Sequence, residues 1–252
     1  MTHANTIHNE SCIDTMSRME DDSVDLVITS PPYNMNLRIR NGKYCSRQIT
    51  KEFSTKYSGF ADNMPIDEFH DFHLGVLKEL LRVSPIVFYN IQVVTGSKRA
   101  FFKIIGEMSD YLKDIIVWDK GSAQPAMLPN VLNRQCELIL VFERDNAISR
   151  TFESAQFERG TLSDVWAIKR GKKTSKDHGA VFPEELVEKI LANFSKRGDT
   201  VYDPFLGTGT TAAVAKAMGR NFIGSEMLHI YYDFAVNRIK SMDNNEDQSD
   251  TN

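Results

Sequence analysis

Short apolar runs alternate with longer amphipathic stretches along this chain. Residues Val24 to Thr29, Ile86 to Ile91, Asp114 to Trp118, Glu137 to Phe142, Thr200 to Tyr202 and Asn221 to Gly224 read as strands. Between them, Ile66 to Arg82 places Phe69, Phe72, Val76, Leu80 and Leu81 near one face of a helix. Ser97 to Met108 forms a second helical stretch. Pro183 to Phe194 forms a third, with proline at its start and Glu184 and Glu185 in its first turn. An alanine-rich helix follows Gly209 and ends near Gly219. The alternation predicts an α/β fold with a mostly parallel sheet, whose ligands bind at the carboxyl ends of the strands. Residues 35–64 and 145–178 fit this core poorly, and the polar end 243–252 is expected to be disordered. With 252 residues and 41% apolar content, the chain can bury one full core, so residues 1–252 are expected to form a single domain.

Two loops carry candidate chemistry. The run from Val24 to Ile28 ends abruptly in Thr29-Ser30-Pro31-Pro32-Tyr33-Asn34. Each proline fixes its own φ, and the first restricts the residue before it. The result is a stiff loop at a strand's carboxyl end. It offers a hydroxyl, backbone carbonyls and an aromatic ring within four residues, a combination that can hold a flat, amino-bearing ring. Near the other end, a strand runs into Asp203-Pro204-Phe205-Leu206-Gly207-Thr208-Gly209-Thr210-Thr211 and then the alanine-rich helix. The glycines let backbone approach a ligand closely, and the helix start offers free N–H groups. Glu226 stands 19 residues after Gly207, at the end of the next strand, where an acid can accept hydrogen bonds from ribose hydroxyls. This arrangement points to an adenosine-containing ligand. No lysine follows Gly209, so the loop is not a phosphate-binding loop of the Walker type. A nicotinamide dinucleotide usually binds a unit that opens its domain, whereas here only 26 residues follow Glu226.

Taken together, these residues resemble the amino-methylating DNA methyltransferases. The stretch from Asp203 to Thr211 is similar to their S-adenosylmethionine motif, and Thr29 to Asn34 is similar to their catalytic motif. The catalytic motif comes first and the cofactor motif last, as in the permuted beta group of that family. Leu80-Leu81-Arg82-Val83, Asp114 to Trp118, Cys136 to Leu140 and His178 to Leu186 resemble further parts of it, so the likeness covers most of residues 7–240. The resemblance implies a Rossmann-like, S-adenosylmethionine-dependent methyltransferase fold with circularly permuted motif order. It implies catalysis by Ser30, Pro31, Pro32 and Tyr33. The amine would donate hydrogen bonds to the Ser30 hydroxyl and the Pro31 carbonyl, and the flipped base would stack on Tyr33. Cofactor contacts would come from Asp203, Pro204, Phe205, Gly207, Thr208, Gly209, Thr210 and Glu226, with Phe182 beside the adenine. Glu10 stands where the family often has aspartate in a Gly-Asp pair. This chain has Asn9-Glu10 instead. Serine leading the tetrapeptide is commoner among cytosine N4 enzymes and aspartate among adenine N6 enzymes, so cytosine is placed first and adenine second. The resemblance also implies a substrate-side loop at 35–64, a small target-recognition region at about 145–178, and a restriction-modification setting with a cognate endonuclease.

A net charge of −4 sits oddly with a DNA partner until its distribution is considered. Residues 35–58 carry Arg38, Arg40, Lys43, Arg47, Lys51 and Lys56 against Glu52 alone. Residues 169–176 carry Lys169, Arg170, Lys172, Lys173 and Lys176 with no acid. The two stretches total +10 and the remainder −14. Segregated cations can grip double-stranded DNA on a protein that is acidic overall. Arg38, Arg40, Lys43, Lys169, Arg170, Lys172 and Lys173 are the expected phosphate contacts.

Cys12, Cys45 and Cys136 form no metal-ligand spacing, and the histidines form no H-x-x-x-H pair, so no metal site is expected. None of the cysteines lies in a Pro-Cys loop, which excludes methylation at cytosine C5 by a thiol nucleophile. No apolar run approaches the roughly 18 residues of a membrane span, and the expected location is cytoplasmic. A monomer or a homodimer is expected. An RNA or protein methyltransferase, a catalytically silent relative and a dehydrogenase remain alternative readings.

Overall fold

The computed structural model describes residues 3–35, 37–40, 43–46, 63–123, 129–170 and 182–249, with the backbone alone at 37–40, 43–46 and 244–249. The strands are β1 (Thr6–His8), β2 (Leu26–Thr29), β3 (Leu37–Arg40), β4 (Lys43–Ser46), β5 (Ile86–Ile91), β6 (Leu112–Asp119), β7 (Cys136–Glu143), β8 (Val165–Ala167), β9 (Thr200–Asp203) and β10 (Asn221–Ser225). The helices are α1 (Cys12–Met16), α2 (Ile66–Val83), α3 (Lys98–Glu107), α4 (Glu184–Phe194), α5 (Thr210–Ala217) and α6 (His229–Ser249). Eight strands form one sheet in the order β1-β10-β9-β2-β5-β7-β6-β8. Only β7 runs against its neighbours β5 and β6; the other pairings are parallel.

The apolar runs are continuous because this sheet is covered on both faces. Side chains alternate between the faces along each strand. On β2, Val27 joins the cluster built by Met16, Phe69, Val76, Leu80 and Phe101 of α1, α2 and α3. Its neighbours Leu26 and Ile28 join the opposite cluster, built by Leu186, Ile190, Ala212 and Ala235 of α4, α5 and α6. The outcome is three layers, helix–sheet–helix, with a core on each side of the sheet.

The six predicted strands and the predicted helices are all present, with ends shifted by no more than a few residues. Three departures stand out. Within residues 35–64 the backbone forms a hairpin, β3 paired antiparallel with β4, where a loop was expected. Residues 145–164 lack regular structure but are tied to the core: Phe152 and Phe157 lie 5.2 and 5.5 Å from the Phe194 ring. The next residues, β8, form the outer strand of the main sheet beside β6, with Trp166 fully buried. The stretch is thus bound to the domain by aromatic packing that its polar, irregular sequence conceals. Finally, the end expected to be disordered from Asp243 continues α6 as far as Ser249. Asp243 forms an ion pair with Lys216 of α5, which ties the helix down beyond its apolar part.

Candidate active site

All the groups that matter reach one edge of the sheet. β2, β5, β6, β9 and β10 present their carboxyl ends there. The reversed direction of β7 brings its first residues to the same edge. Ser30 therefore shares this edge with Asn90 from β5, Lys120 just beyond β6 and Glu137 from the start of β7, and it touches Asn90 directly. Asp203 ends β9, and Glu226 and Glu10 follow β10 and β1, farther along the edge.

The catalytic-type loop is held firmly at both ends. Thr29 is buried and donates through Oγ1 to Asp203 Oδ1 at 2.7 Å. Asn34 adopts a left-handed φ of 57° and is 1% exposed. Its amide donates to the carbonyls of Met64 (2.8 Å) and Gly96 (3.1 Å). Asn34 is a loop anchor that the sequence motif contains without revealing its role, because both partners are distant in sequence. Asparagine is among the few side chains that tolerate this backbone region.

Tyr33 is more constrained than expected. Its ring packs against the α2-side core. Its hydroxyl points inward, 2.6 Å from Ser30 Oγ and 3.2 Å from Glu137 Oε2. Asn90 Nδ2 donates to the Tyr33 oxygen at 2.6 Å and to Glu137 Oε2 at 2.8 Å. Lys120 Nζ donates to Glu137 Oε1 at 3.0 Å. Burial, reinforced by the Glu137 carboxylate, pushes the Tyr33 phenol well above its ordinary range, so it is a neutral hydroxyl. Asn90, Lys120 and Glu137 carry no motif signature. Only the pairing of β5, β6 and β7 assembles them.

The glycine-rich turn is fixed from two sides. Gly207 N donates to Glu226 Oε2 at 2.9 Å, and Leu228 N donates to Oε1 at 2.7 Å. Burial raises the Glu226 carboxyl, while these two N–H groups draw it back down. Arg238 of α6 donates to the Thr208 carbonyl (3.3 Å) and Thr210 Oγ1 (3.2 Å), and pairs with Glu184. The two glycines differ in role. Gly209 has φ 80°, and a Cβ there would stand 2.9 Å from Ala235 Cβ, so it is glycine because α6 packs on it. Gly207 has φ 55°, and a Cβ there would meet nothing nearer than the Phe205 carbonyl at 4.0 Å. The open approach to backbone, which the sequence assigns to both glycines, belongs to Gly207.

Asp203 is 4% exposed and sits where the two halves of the edge join. Oδ1 accepts from Thr29 Oγ1 and from Phe205 N (3.1 Å), and Oδ2 accepts from Thr211 Oγ1 (2.6 Å). It braces the Ser30–Tyr33 loop against the glycine turn. Phe205 packs edge-on against Phe72, and Pro204 is buried. Glu10 accepts from Thr15 Oγ1 at 2.7 Å and pairs with Arg18. Burial works to raise its pKa, and the Thr15 and Arg18 hydrogen bonds outweigh that and lower it. Phe182 stands edge-on to Trp118, 6.3 Å between ring centres, at the start of α4. The two tryptophans are packing residues: Trp118 donates to the Ile168 carbonyl and Trp166 to that of Ser163, each at 2.7 Å.

Of the expected phosphate contacts, Lys169 and Arg170 are exposed. Arg38, Arg40 and Lys43 lie on the β3–β4 hairpin, described by backbone alone. Lys172, Lys173, Lys176, Arg47, Lys51, Lys56 and His178 lie outside the described residues. Among the described residues no helix is long and apolar enough to cross a membrane, and no group of three or more His, Cys, Asp or Glu side chains could hold a metal ion.

The Asp203 environment yields a pH signature. Burial raises its carboxyl from 3.8 to about 6, only partly offset by the hydrogen bonds from Thr211, Thr29 and Phe205. A folded-state pKa above the unfolded one means that folding favours the protonated form. The associated stability is complete below about pH 4 and is lost as pH rises through 6. Asp203→Asn keeps the shape and removes the charge. The stability of wild type minus that of Asp203→Asn should therefore fall by on the order of 3 kcal/mol between pH 4 and pH 7. Denaturant titrations of both proteins across that range check it, and a flat difference would contradict the account.

The comparisons with known proteins agree with this geometry. The N6/N4 DNA methylase family profile matches residues 24–237. The chain is 29% identical to the type II methyltransferase M.HinfI of Haemophilus influenzae, across 94% of this chain and 69% of that protein. It is 26% identical to the type II methyltransferase M2.DpnII of Streptococcus pneumoniae, across 90% and 86%. Among solved structures, the PvuII cytosine-N4-specific DNA methyltransferase superposes with a TM-score of 0.71 at 18% identity, covering 94% of this chain and 87% of that one. An M1.HpyAVI–SAM complex superposes with a TM-score of 0.60 at 20% identity, covering 92% and 98%. The profile match spans both the Ser30–Tyr33 loop and the Gly207 turn, and the chain belongs to the N6/N4 DNA methylase family.

Proposed function

We propose that this chain transfers a methyl group from S-adenosylmethionine to the exocyclic N4 amine of a cytosine turned out of duplex DNA, at a specific sequence. The observation that carries the reading is the juxtaposition of an amine-holding loop and an adenosine-type turn on one sheet edge, joined by the 2.7 Å Thr29–Asp203 hydrogen bond. Bound S-adenosylmethionine supplies a sulfonium-activated methyl group. The residues fit such a ligand: the open side of Gly207 admits it against the backbone, and Glu226 is oriented by two N–H groups with lone pairs left for ribose hydroxyls.

The protein's task is then to position and polarise the base. An exocyclic amine is conjugated with its ring and is a poor nucleophile. Hydrogen bonds from the amine to Ser30 Oγ and the Pro31 carbonyl localise its lone pair for attack on the methyl carbon. The nitrogen would gain the methyl as the methyl–sulfur bond breaks and leaves a neutral thioether, and its surplus proton would pass to solvent. The exposed part of the Tyr33 ring stacks the base. Serine at the head of the tetrapeptide supports cytosine over adenine. Lys169 and Arg170, with the basic hairpin around Arg38, Arg40 and Lys43, face the phosphates, and exposed parts of 145–168 read the target sequence.

Two experiments test the base and the loop together. DNA methylated by the purified protein, digested to nucleosides and analysed by mass spectrometry, should contain N4-methylcytosine. N6-methyladenine in its place would overturn the cytosine assignment. Ser30→Ala should slow methyl transfer about 10- to 100-fold by leaving an amine hydrogen without its acceptor, while cofactor affinity is retained. A wild-type rate would remove Ser30 from the mechanism.

The glycines provide an internal contrast. Gly207→Ala should weaken S-adenosylmethionine binding strongly in calorimetry with a stability loss of only about 1 kcal/mol from its positive φ. Gly209→Ala should cost about 1–3 kcal/mol of stability through its contact with Ala235. The reverse pattern would misplace the cofactor.

For the DNA contacts, Lys169→Gln with Arg170→Gln should flatten the dependence of log affinity on log salt by about 1.8, equally for specific and random duplexes. An unchanged slope would mean that these cations face solvent.

A further inference from the structure

The buried pair Lys120–Glu137 has no part in the chemistry described so far, yet it underlies the Ser30–Tyr33 loop. The Lys120 side chain is fully buried and that of Glu137 is 11% exposed. We propose that Glu137 and Lys120 are positioning residues that fix the direction of the hydroxyl chain beneath the loop, so that Ser30 Oγ meets the target amine as an acceptor. This rests on the amino-methylation reading.

The argument follows from counting donors. A lysine ammonium only donates, and a carboxylate only accepts. Glu137 Oε1 is taken by Lys120, so Oε2 must receive hydrogens from the groups on its other side. Those groups are Asn90 Nδ2 and the Tyr33 hydroxyl. Asn90 shows how strongly the carboxylate dictates: its Oδ1 is buried with no hydrogen-bond partner among the described residues, because turning the amide over would set a carbonyl against the carboxylate. The single Tyr33 proton goes to Glu137, so the Tyr33 oxygen accepts from Asn90 and from Ser30, each at 2.6 Å. The Ser30 proton is thereby directed inward, away from the incoming amine. Asn90 Nδ2 also stands 3.4 Å from Ser30 Oγ, but its two hydrogens go to the shorter contacts at Tyr33 and Glu137, so the lone pairs of Ser30 Oγ remain for the amine hydrogens. Without this order, the Ser30 hydroxyl could turn its proton toward the amine, and two donors would face each other.

Lys120 makes the device sensitive to a single atom. In Glu137→Gln the ammonium still demands an oxygen, so the new amide turns its NH2 toward Tyr33 and Asn90. The terminal acceptor becomes a donor, Tyr33 donates to Ser30 instead, and the chain reverses. The substitution changes neither shape nor volume.

The test uses the whole protein with duplex DNA containing its site. Single-turnover methyl transfer, KM for DNA and cofactor affinity are measured for wild type, Glu137→Gln, Tyr33→Phe and the double variant. Glu137→Gln should slow transfer about tenfold or more, with KM and cofactor affinity nearly unchanged. Tyr33→Phe should also slow it, because the ring remains but the Ser30 proton loses its acceptor. The double variant should be no slower than Tyr33→Phe, since Glu137 acts through that hydroxyl. Three results would each overturn the proposal: Glu137→Gln at the wild-type rate, Tyr33→Phe at the wild-type rate, or multiplying effects in the double variant. The Tyr33→Phe result stands even if Glu137→Gln fails to fold. Wild-type protein that methylates no DNA amine would instead defeat the amino-methylation reading itself.

Discussion

The structure turns on one buried carboxylate. Asp203 joins the strand that ends in the Ser30–Tyr33 loop to the strand that ends in the glycine turn, through Thr29 on one side and Thr211 on the other. The strand pairing between β2 and β9 is short: it sets Leu26 beside Val201 and Val27 beside Tyr202, with one more backbone bond from Asp25 N to the Thr200 carbonyl before it. Those two strands are far apart in sequence, so nothing local holds the loops in register. A carboxylate with three hydrogen-bond donors fixes direction as well as distance, which apolar packing does not. Its raised pKa shows that the hydrogen bonds offset the desolvation only in part. Some stability is given up at this point so that the two loops keep one geometry.

The reversed β7 makes the second contribution. A fully parallel sheet would leave the start of that strand at the far edge of the domain. Running antiparallel between β5 and β6, it delivers Glu137 to the carboxyl edge, opposite Trp118 and close to Lys120. Buried ion pairs are poor sources of stability, because desolvation consumes most of the attraction. Lys120 and Glu137 are better understood through what they order: an amide, a phenol and a serine hydroxyl that each have alternative hydrogen-bond directions.

Much of the fold was legible because two-sided burial leaves an unmistakable trace. Strands covered on both faces are continuous apolar runs, and Leu26 to Thr29 or Ile86 to Ile91 can be little else. Elements without that trace were missed. β1 has three half-buried residues, and α1 is five residues long. The irregular stretch 145–164 conceals its attachment because Phe152 and Phe157 are isolated aromatics whose partner, Phe194, is distant in sequence. The site divides in the same way. Ser30, Tyr33, Gly207 and Glu226 sit in local patterns that name their chemistry. Asn90, Lys120 and Glu137 sit in strands whose patterns report only burial, and their polar character acquires meaning only when three strands are paired.

Tyr33 shows why a motif can be recognised and still be read incompletely. As a sequence letter it is an aromatic surface for a base. In the structure the ring is half-buried, and its oxygen is the junction between Ser30, Asn90 and Glu137. Stacking alone would be served by any flat ring, including phenylalanine. A phenol adds an atom that both accepts and donates, and so can transmit direction from a carboxylate below to a hydroxyl above. The stiffness of the two prolines serves both tasks at once. In the proposed reaction it holds the ring for the base, and it keeps the phenol oxygen within hydrogen-bond distance of a serine three residues earlier.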